Sequence, residues 1–295
     1  MWIVFGVLAG VLLGLYDFWT KKSMEKNGVI NIVFWTSFFG MLALVPAIAL
    51  GQKGAALSLS ALTLGYKDQL LIFAKGTAMT LSWIMAYYSV KELPMSFSGA
   101  VRASGPLWTF VGGVLLFGEF LTPLQFALIL ISVASYYAFS QIGKKEGIHV
   151  LKSKPVLMML AATMLSAATT AYDKYLVQNT GISAVSIQAV SAIHRFALAA
   201  VIFGLYKICS KNDGATSWSF YIPLVGVAWV AAEYVYFLAI VDPESNVTYL
   251  SVFRRTSLII GFILSAVFLQ EKFLKQKAVV IGILVLSTVI LIVKR

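Results

Sequence analysis

The feature that most constrains the fold of this chain is a series of ten mostly apolar stretches, each at least 16 residues long. Wound as helices, stretches of this length can cross a hydrocarbon layer of roughly 30 Å. A 295-residue chain that is 60% hydrophobic and only 12% charged cannot bury so much apolar surface in one soluble core. We therefore predict an all-α polytopic membrane protein with ten transmembrane helices. These predicted spans, numbered 1 to 10, are residues 2–19, 30–50, 69–90, 96–117, 122–141, 155–176, 184–208, 220–240, 246–268 and 278–293.

Spans 4 and 9 share a charge pattern that points to an internal repeat. Arg102 lies near the middle of span 4 and is followed 17 residues later by Glu119, and Arg254 of span 9 is followed at the same distance by Glu271. The two arginines are 152 residues apart, and the 24-residue segments that end in the two glutamates align without a gap. The chain therefore uses one module twice.

A second motif supports the repeat, because the pair Tyr16-Asp17 near the end of span 1 recurs as Tyr172-Asp173 in span 6. Each repeat holds five helices, an odd number, so the second repeat is predicted to be inverted relative to the first. Inverted repeats usually enclose a substrate site near the membrane midplane and expose it to alternate sides, which favours a transporter. The predicted division is a first five-helix repeat at 1–141, a linker at 142–154 and a second five-helix repeat at 155–295.

The segments around the two arginines also resemble a known family. The letters ASGPL at 103–107 lead to LLFGE at 115–119, and RRTSL at 254–258 leads to VFLQE at 267–271. These segments resemble the two EamA repeats of the drug/metabolite transporter superfamily, and the resemblance covers nearly the whole chain. It implies a ten-helix carrier that exports amino acids or other small metabolites, in a superfamily whose relatives also move nucleotide sugars and sugar phosphates.

The chain departs from the family pattern in two respects. Span 7 carries the family-like HRF at 194–196, whereas the matching part of span 2, WTS at 35–37, lacks the arginine. The resemblance implies that both termini lie in the cytoplasm. The connections after spans 1, 3, 5, 7 and 9 hold twelve Lys or Arg against four on the opposite side, and the positive-inside rule then places both termini outside. The sequence leaves the orientation of the termini open. The expected location is the plasma (inner) membrane, which the chain would cross several times.

Several function classes find no support in the sequence. The net charge of +11 is scattered through short loops rather than gathered into a basic domain, so no nucleic-acid partner is expected. The nucleotide-binding, zinc-protease and serine-hydrolase motifs are missing, and we expect neither enzymatic activity nor a cofactor. His149, His194 and the single Cys209 give no metal-site spacing, and the one cysteine excludes an internal disulfide. The expected partners are a small-molecule substrate and the lipid bilayer, with coupled protons as an option; monomer and homodimer stay open.

Basic residues inside the spans are the first candidates for substrate contact, because an ionised side chain at mid-bilayer costs about 2.5 to 3.5 kcal/mol and should face a wet cavity or a partner. Arg102 and Arg254 each share a helix face with small residues, and two guanidiniums near one cavity would hold a carboxylate or phosphate. Arg255 and Lys75 are further candidates. The alternative is that each arginine is held by an internal acid, or by carbonyl oxygens at a helix break such as Pro106 would create. Lys174 and Lys207 lie near helix ends, where they are expected to reach the interface.

Acidic residues are fewer. Glu233 lies well inside span 8, where it is predicted either to exchange a proton that couples to transport or to act as the fixed partner of an arginine. Asp17 and Asp173 are candidates for the same roles, with a solvated carboxylate that caps a loop as the alternative, since each lies near the predicted end of its span. Glu119 and Glu271 are expected to stabilise the turns after spans 4 and 9.

Aromatic and glycine positions complete the predictions. Trp83 and Tyr87 share a face of span 3, and Trp108 lies two residues after the proline of span 4, so all three are candidates for the cavity wall, with core packing as the alternative. Span 1 begins directly after Met1 without a signal-peptide pattern and is expected to stay as a helix. Its three glycines, spaced by four residues at positions 6, 10 and 14, predict close packing of another helix.

These observations predict a central cavity lined by spans 3, 4, 8 and 9 with the inner parts of spans 1 and 6. The predicted function is export of a small metabolite with an anionic group, such as an amino acid or related organic acid, by alternating access. The proton gradient or the metabolite's own gradient would drive it. Two alternatives remain: a flippase for a lipid-linked or phosphorylated sugar head group, and a receptor or structural membrane protein without transport.

Overall fold

The computed structural model describes residues 1–50, 64–102, 104–118, 122–145, 152–210, 216–269 and 272–293. Within these ranges the chain forms α-helices and one 3-10 turn, and no strand. The α-helices are α1 (Trp2–Met24), α2 (Val29–Leu50), α3 (Tyr66–Glu92), α4 (Met95–Arg102), α5 (Gly105–Phe117), α6 (Pro123–Lys145), α7 (Lys154–Asn179), α8 (Ala184–Cys209), α9 (Tyr221–Ile240), α10 (Val247–Phe253), α11 (Ser257–Phe268) and α12 (Leu274–Val293). The 3-10 turn, Arg254–Thr256, joins α10 to α11.

Every predicted span coincides with helical structure, which confirms the all-α fold class for the described ranges. Among the described residues, seven helical segments are long and apolar enough to cross a membrane, two of them made of shorter helices in succession, and α2 has a shorter apolar part, Val29–Val45. The full count of ten membrane helices and the inverted orientation of the halves remain predictions. Glu119 and Glu271, expected to stabilise the turns after spans 4 and 9, lie outside the described residues.

Spans 4 and 9 are each interrupted at their arginine. Span 4 divides into α4, which ends at Arg102, and α5, in which Pro106 occupies the first turn. Proline is tolerated there because the first amides of a helix lack an intrahelical acceptor, whereas inside a helix its ring would clash with the preceding turn. Span 9 has no proline, and its interruption is the 3-10 turn that begins at Arg254. The helix break that the sequence offered as an alternative in span 4 is therefore present, and a second one lies at the corresponding arginine.

Helix packing between the two halves is matched in pairs. The contact of α1 with α9 is matched by that of α7 with α3. The contact of α2 with α9 is matched by that of α8 with α3, and the contact of α1 with α11 is matched by that of α7 with α5. Each of these contacts becomes its counterpart when the halves are exchanged, and the contacts of α2 with α8 and of α6 with α12 map onto themselves. This exchange supports the predicted two-fold repeat.

Side-chain contacts define what we call the first end of the helix bundle. Lys21, near the end of α1, donates to the carbonyl oxygens of Val90 and Leu93 where α3 finishes, at 2.6 and 2.8 Å. Asn27, just before α2, accepts a hydrogen bond of 2.8 Å from the amide of Ser217, just before α9. Helices α1 and α3 therefore finish at this end, and α2 and α9 begin there.

The opposite end, which we call the second end, is defined by contacts of α7. The Gln178 side chain near the end of α7 donates to the carbonyl oxygen of Ile240, the last residue of α9, at 3.1 Å. The Tyr172 hydroxyl donates to the carbonyl oxygen of Leu71, in the second turn of α3, at 3.3 Å. Helices α7 and α9 finish at the second end, and α3 begins there.

The glycines of α1 face the interrupted span of the other half. A Cβ atom at Gly10 would lie 2.9 Å from the carbonyl oxygen of Phe253 and 3.0 Å from that of Arg254, and one at Gly14 would lie 2.5 Å from the Ile260 Cβ. Real Cβ atoms do not approach this closely, so only glycine lets α1 lie against the 3-10 turn at this distance. The packing role predicted for these glycines is confirmed.

Candidate functional site

A cavity lies in the half of the bundle nearer the first end. Its empty volume is about 830 Å³, counting open space at its mouth. Its walls come from α1, α3, α4, α7, α9, the 3-10 turn and the start of α11, which belong to the six spans predicted to form the cavity. Near the first end the lining residues are Thr20, Val90 and Met159, from the ends of α1 and α3 and the start of α7.

Two of the three lining arginines have partners within the protein. Arg102 forms an ion pair with Asp17 of α1, and this pair also lines a second cavity of about 450 Å³. Arg255 donates to the Arg102 carbonyl oxygen at 2.7 Å and to that of Ser251 at 3.2 Å. A Cβ atom at Gly105 would lie 2.6 Å from the Arg255 guanidinium. Arg255 thus joins the interruption of span 9 to that of span 4.

Arg254 differs from both. Its guanidinium carbon lies 4.3 Å from the centroid of the Tyr236 ring, a cation-π contact. Its Nε is buried and has no hydrogen-bond partner, and among the described residues Arg254 forms no ion pair. Among the described residues, this cation at the cavity wall therefore has no carboxylate within ion-pair distance and no carbonyl oxygen that accepts from it.

Four buried charged side chains form what we call the charge cluster: Lys75, Asp173, Arg195 and Glu233. Lys75 Nζ lies 2.9 Å from Asp173 Oδ1 and 3.1 Å from Glu233 Oε1. The contact with Asp173 is an ion pair without hydrogen-bond geometry, since Oδ1 accepts no hydrogen bond. Glu233 also accepts from the Trp229 indole at 3.1 Å and from Arg195 at 3.4 Å. Lys75 belongs to the first half of the chain, and the other three members belong to the second.

The charge cluster lies between the cavity and the second end. None of its four members lines the cavity, and Lys75 Nζ lies 4.4 Å from the centroid of the Phe237 ring. Phe237 belongs to a buried apolar group, here called the second-end plug, from α3, α7, α8, α9 and the segment before α8. Its buried members are Ile72, Leu176, Ile182, Ile187, Val190 and Phe237. In the described residues the cavity therefore ends before the charge cluster, and packed side chains close the second end.

Aromatic rings form the cavity wall next to the charge cluster. Trp83, Tyr87, Tyr16 and Trp229 all line the cavity, and the Tyr16 hydroxyl donates to that of Tyr87 at 3.0 Å. The rings of Trp83 and Trp229 meet edge to face at 4.9 Å between centroids. The Arg195 guanidinium lies 4.8 Å from the Trp83 centroid, so the charge cluster supports this wall from behind.

Trp108 and Lys174 lie outside the cavity lining. Trp108 donates a hydrogen bond of 3.3 Å from its indole N–H to the Ser104 hydroxyl. Its role as a substrate contact remains a prediction. Lys174, expected to reach the interface, is instead 7% exposed and donates to the Ser245 carbonyl oxygen at 2.8 Å.

The loop-capping alternative for Asp17 and Asp173 is wrong. Both aspartates lie inside helices that continue for about two more turns, α1 to Met24 and α7 to Asn179. Each is paired with a cation from another helix. The sequence contained the signal in the repeated Tyr-Asp motif, but the apolar stretches stop short of the true helix ends.

Arg195 is the member of the charge cluster that sequence reasoning did not assign to the site. Its position in the family-like HRF of span 7 was the available signal. For Glu233 the structure gives the fixed-partner arrangement, with Arg195 and Lys75 as its cationic neighbours.

Fold and cavity together define the class: a multi-pass membrane protein whose helices surround a basic cavity. Comparison with known families then gives a narrower result. Residues 1–141 match the model of the EamA-like transporter family. This match confirms the resemblance for the first half of the chain, and the family it names consists of membrane transporters of small molecules.

A solved structure titled "Crystal structure of protein" is similar over most of both chains. The TM-score is 0.73 at 16% sequence identity, and the match covers 96% of this chain and 94% of that chain. At this identity the similarity shows a shared fold. A comparison with curated proteins found no match.

Proposed function

We propose that the protein is a secondary transporter that moves a small metabolite with at least one anionic group across the plasma membrane by alternating access. The proposed direction is export, and the proposed substrate is an amino acid or related organic acid. One observation carries the proposal: Arg254 lines the cavity, its buried Nε has no hydrogen-bond partner, and it forms no ion pair in the described chain.

The charge of the cavity supports an anionic substrate. Its charged lining residues among those described are three arginines and Asp17, a formal charge of +2. Asp17 is already paired with Arg102, and Arg255 is bound to carbonyl oxygens. A carboxylate beside Arg254 would accept charge-assisted hydrogen bonds and remove the cost of an unpaired cation within the membrane.

The rest of the cavity suits the remainder of such a molecule. The wall formed by Trp83 and Trp229 offers apolar ring surface, while hydroxyl side chains of α3 and α7 offer hydrogen bonds. These hydroxyl residues are Ser82, Thr163, Ser166 and Thr169. A small number of polar groups among apolar ones is the usual composition of a small-molecule site.

The matched packing of the halves supports alternating access. Two inverted repeats, 1–141 and 155–295, would rock about the cavity so that the first end closes as the second end opens. One conformation of such a cycle is open at the first end and closed at the second. The cavity near the first end and the packed charge cluster toward the second end fit that conformation.

Metabolite profiling of the growth medium tests the proposal. Cells that express the wild type should enrich an anionic metabolite outside, and Arg254→Gln at equal membrane abundance should reduce that enrichment by about 10-fold or more, because hydrogen bonds to a charged group contribute roughly 1.5 to 3 kcal/mol. Lys207→Gln is the matched control, since it removes a positive charge from α8 outside the cavity. Enrichment that Arg254→Gln leaves at the wild-type level would show that the anion site is elsewhere.

A further inference from the structure

We propose that Asp173 is a proton-binding site that operates a lock between the two halves of the protein. With Asp173 ionised, Lys75 ties α3 to both α7 and α9 and holds the second end closed. A proton on Asp173 releases Lys75 from α7 and allows that end to open. The inference rests on the proposed transport cycle and adds its coupling ion and the residue that binds it.

The two carboxylates of the charge cluster are not equivalent. Glu233 accepts from Lys75, Trp229 and Arg195, so its negative charge is compensated from three directions. Asp173 forms one ion pair within the described residues, with Lys75, and its Oδ1 accepts no hydrogen bond. Loss of the negative charge therefore weakens one contact at Asp173 but three at Glu233, which makes Asp173 the group that can take up a proton without dismantling the cluster.

The bond to Lys75 crosses between the halves. The three members from the second half, Asp173, Glu233 and Arg195, sum to a charge of −1, and Lys75 from the first half neutralises it. The second-end plug surrounds this bond, with Ile72 one turn before Lys75 on α3 and Leu176 one turn after Asp173 on α7. Opening the second end must separate α3 from α7, and the Lys75–Asp173 ion pair opposes that separation.

The counterpart of Asp173 in the first half is Asp17, and its setting is different. Asp17 lines the open cavity and is paired with Arg102, a residue of its own half. The repeated Tyr-Asp motif thus places one aspartate in the open part of the structure and the other in the closed part. If the halves exchange roles during transport, Asp173 becomes accessible when the second end opens, and it can then exchange its proton with that side.

The charges that face Asp173 come from each neighbouring element. They are Lys75 of α3, Glu233 of α9 and Arg254 of the 3-10 turn, with the Tyr236 hydroxyl of α9 and Arg195 of α8 beyond them. Helices α5 and α10, which also pack on α7, carry no charged residue, and Arg102 of α4 is paired with Asp17. In the proposed step a hydronium ion transfers its proton to the Asp173 carboxylate and becomes water, while the Lys75 ammonium keeps its proton and its bond to Glu233.

Thiol labelling tests the lock without any substrate. Cys209 is the one cysteine of the chain and is exposed, so Cys209→Ser gives a cysteine-free background. In that background Val190→Cys places a thiol in the second-end plug. The purified proteins are reacted in lipid nanodiscs with a polar maleimide between pH 8 and pH 5.5. Each rate is divided by that of Cys209 in the wild type, which removes the intrinsic effect of pH on thiol reactivity.

The relative labelling of Val190→Cys should rise at least threefold as the pH falls. Adding Asp173→Asn should raise it at both pH values and abolish its pH dependence. Asp17→Asn is the matched control at the first end and should leave the rise intact. A flat pH series with Asp173 intact overturns the proposal even if Asp173→Asn fails to fold. The proposal is also overturned if the rise in relative labelling at low pH disappears in Glu233→Gln but persists in Asp173→Asn. Since no transported molecule is involved, failure here is distinguishable from failure of the Arg254 site.

Discussion

Glu233 illustrates how much stability one residue contributes when it compensates several buried charges. Glu233→Gln leaves Lys75 with Asp173 alone and leaves Arg195 without an acid among the described residues. Removal of one partner from a buried ion pair destabilises by about 3 kcal/mol or more, because an uncompensated charge remains. We expect Glu233→Gln to lower the free energy of unfolding by roughly that amount, measured by denaturant titration in mixed micelles.

Trp229→Phe is the control for this substitution. It removes one hydrogen bond to Glu233 and keeps an aromatic ring in the cavity wall. The expected loss is about 1 kcal/mol, the usual net contribution of one hydrogen bond. Equal losses for the two variants would mean that the charge of Glu233 contributes little to the fold.

The roles of single residues were only partly predictable from the sequence. The arginines and Glu233 were identifiable because an ionisable residue inside an apolar stretch is costly and needs a partner. Which partner each one has was not, since Lys75 meets Asp173 and Glu233 across 98 and 158 positions of the chain. The sequence therefore left both a charged partner and a loop cap possible for Asp173, and its three-dimensional contacts place it in the charge cluster.

At the scale of helices, the interruptions at Arg102 and Arg254 determine where the arginines point. The apolar length of a span is a local property, so the sequence predicted both spans. It signalled the interruption of span 4 through Pro106, whereas the 3-10 turn of span 9 has no such residue. The close approach of α1 to that turn, which only glycine permits, explains why the interruption is held in place.

We predict that Gly10→Ala displaces the 3-10 turn. The added Cβ would lie 2.9 and 3.0 Å from two backbone carbonyl oxygens, and backbone cannot move aside as a flexible side chain can. The expected cost is about 1 to 3 kcal/mol of unfolding free energy, together with weaker apparent affinity for the exported anion because Arg254 moves with the turn. Thermal unfolding and transport at varied substrate concentration measure the two effects.

Gly204→Ala provides the matched control on α8. A Cβ atom there meets nothing within 4 Å, so the substitution changes a helical glycine without a clash. Alanine is favoured over glycine inside a helix by about 1 kcal/mol, and we expect unchanged or slightly raised stability with unchanged affinity. Wild-type behaviour of Gly10→Ala would show that the contact between α1 and the turn is not rigid.

For the whole molecule, the decisive question is which compartment the first end faces. The basic loops follow spans 1, 3, 5, 7 and 9, and α1 and α3 finish at the first end. The positive-inside rule therefore places the first end, and with it the cavity, on the cytoplasmic side. A cavity that faces the cytoplasm is where an exporter would load its substrate, so the charge distribution and the proposed direction of transport agree. The topology implied by the EamA resemblance is the opposite one.

Cys209 decides between these orientations without any substitution. It is exposed at the last residue of α8, two turns beyond Phe203, whose ring stacks at 4.5 Å on Phe34 near the start of α2 at the first end. We expect a membrane-impermeant maleimide to leave Cys209 unlabelled in intact cells and to label it after permeabilisation. Glu244→Cys in a Cys209→Ser background, in the connection after α9 at the second end, should give the reverse. Labelling of Cys209 in intact cells would place the cavity outside, and an exporter would then load its substrate only in the conformation that opens the second end.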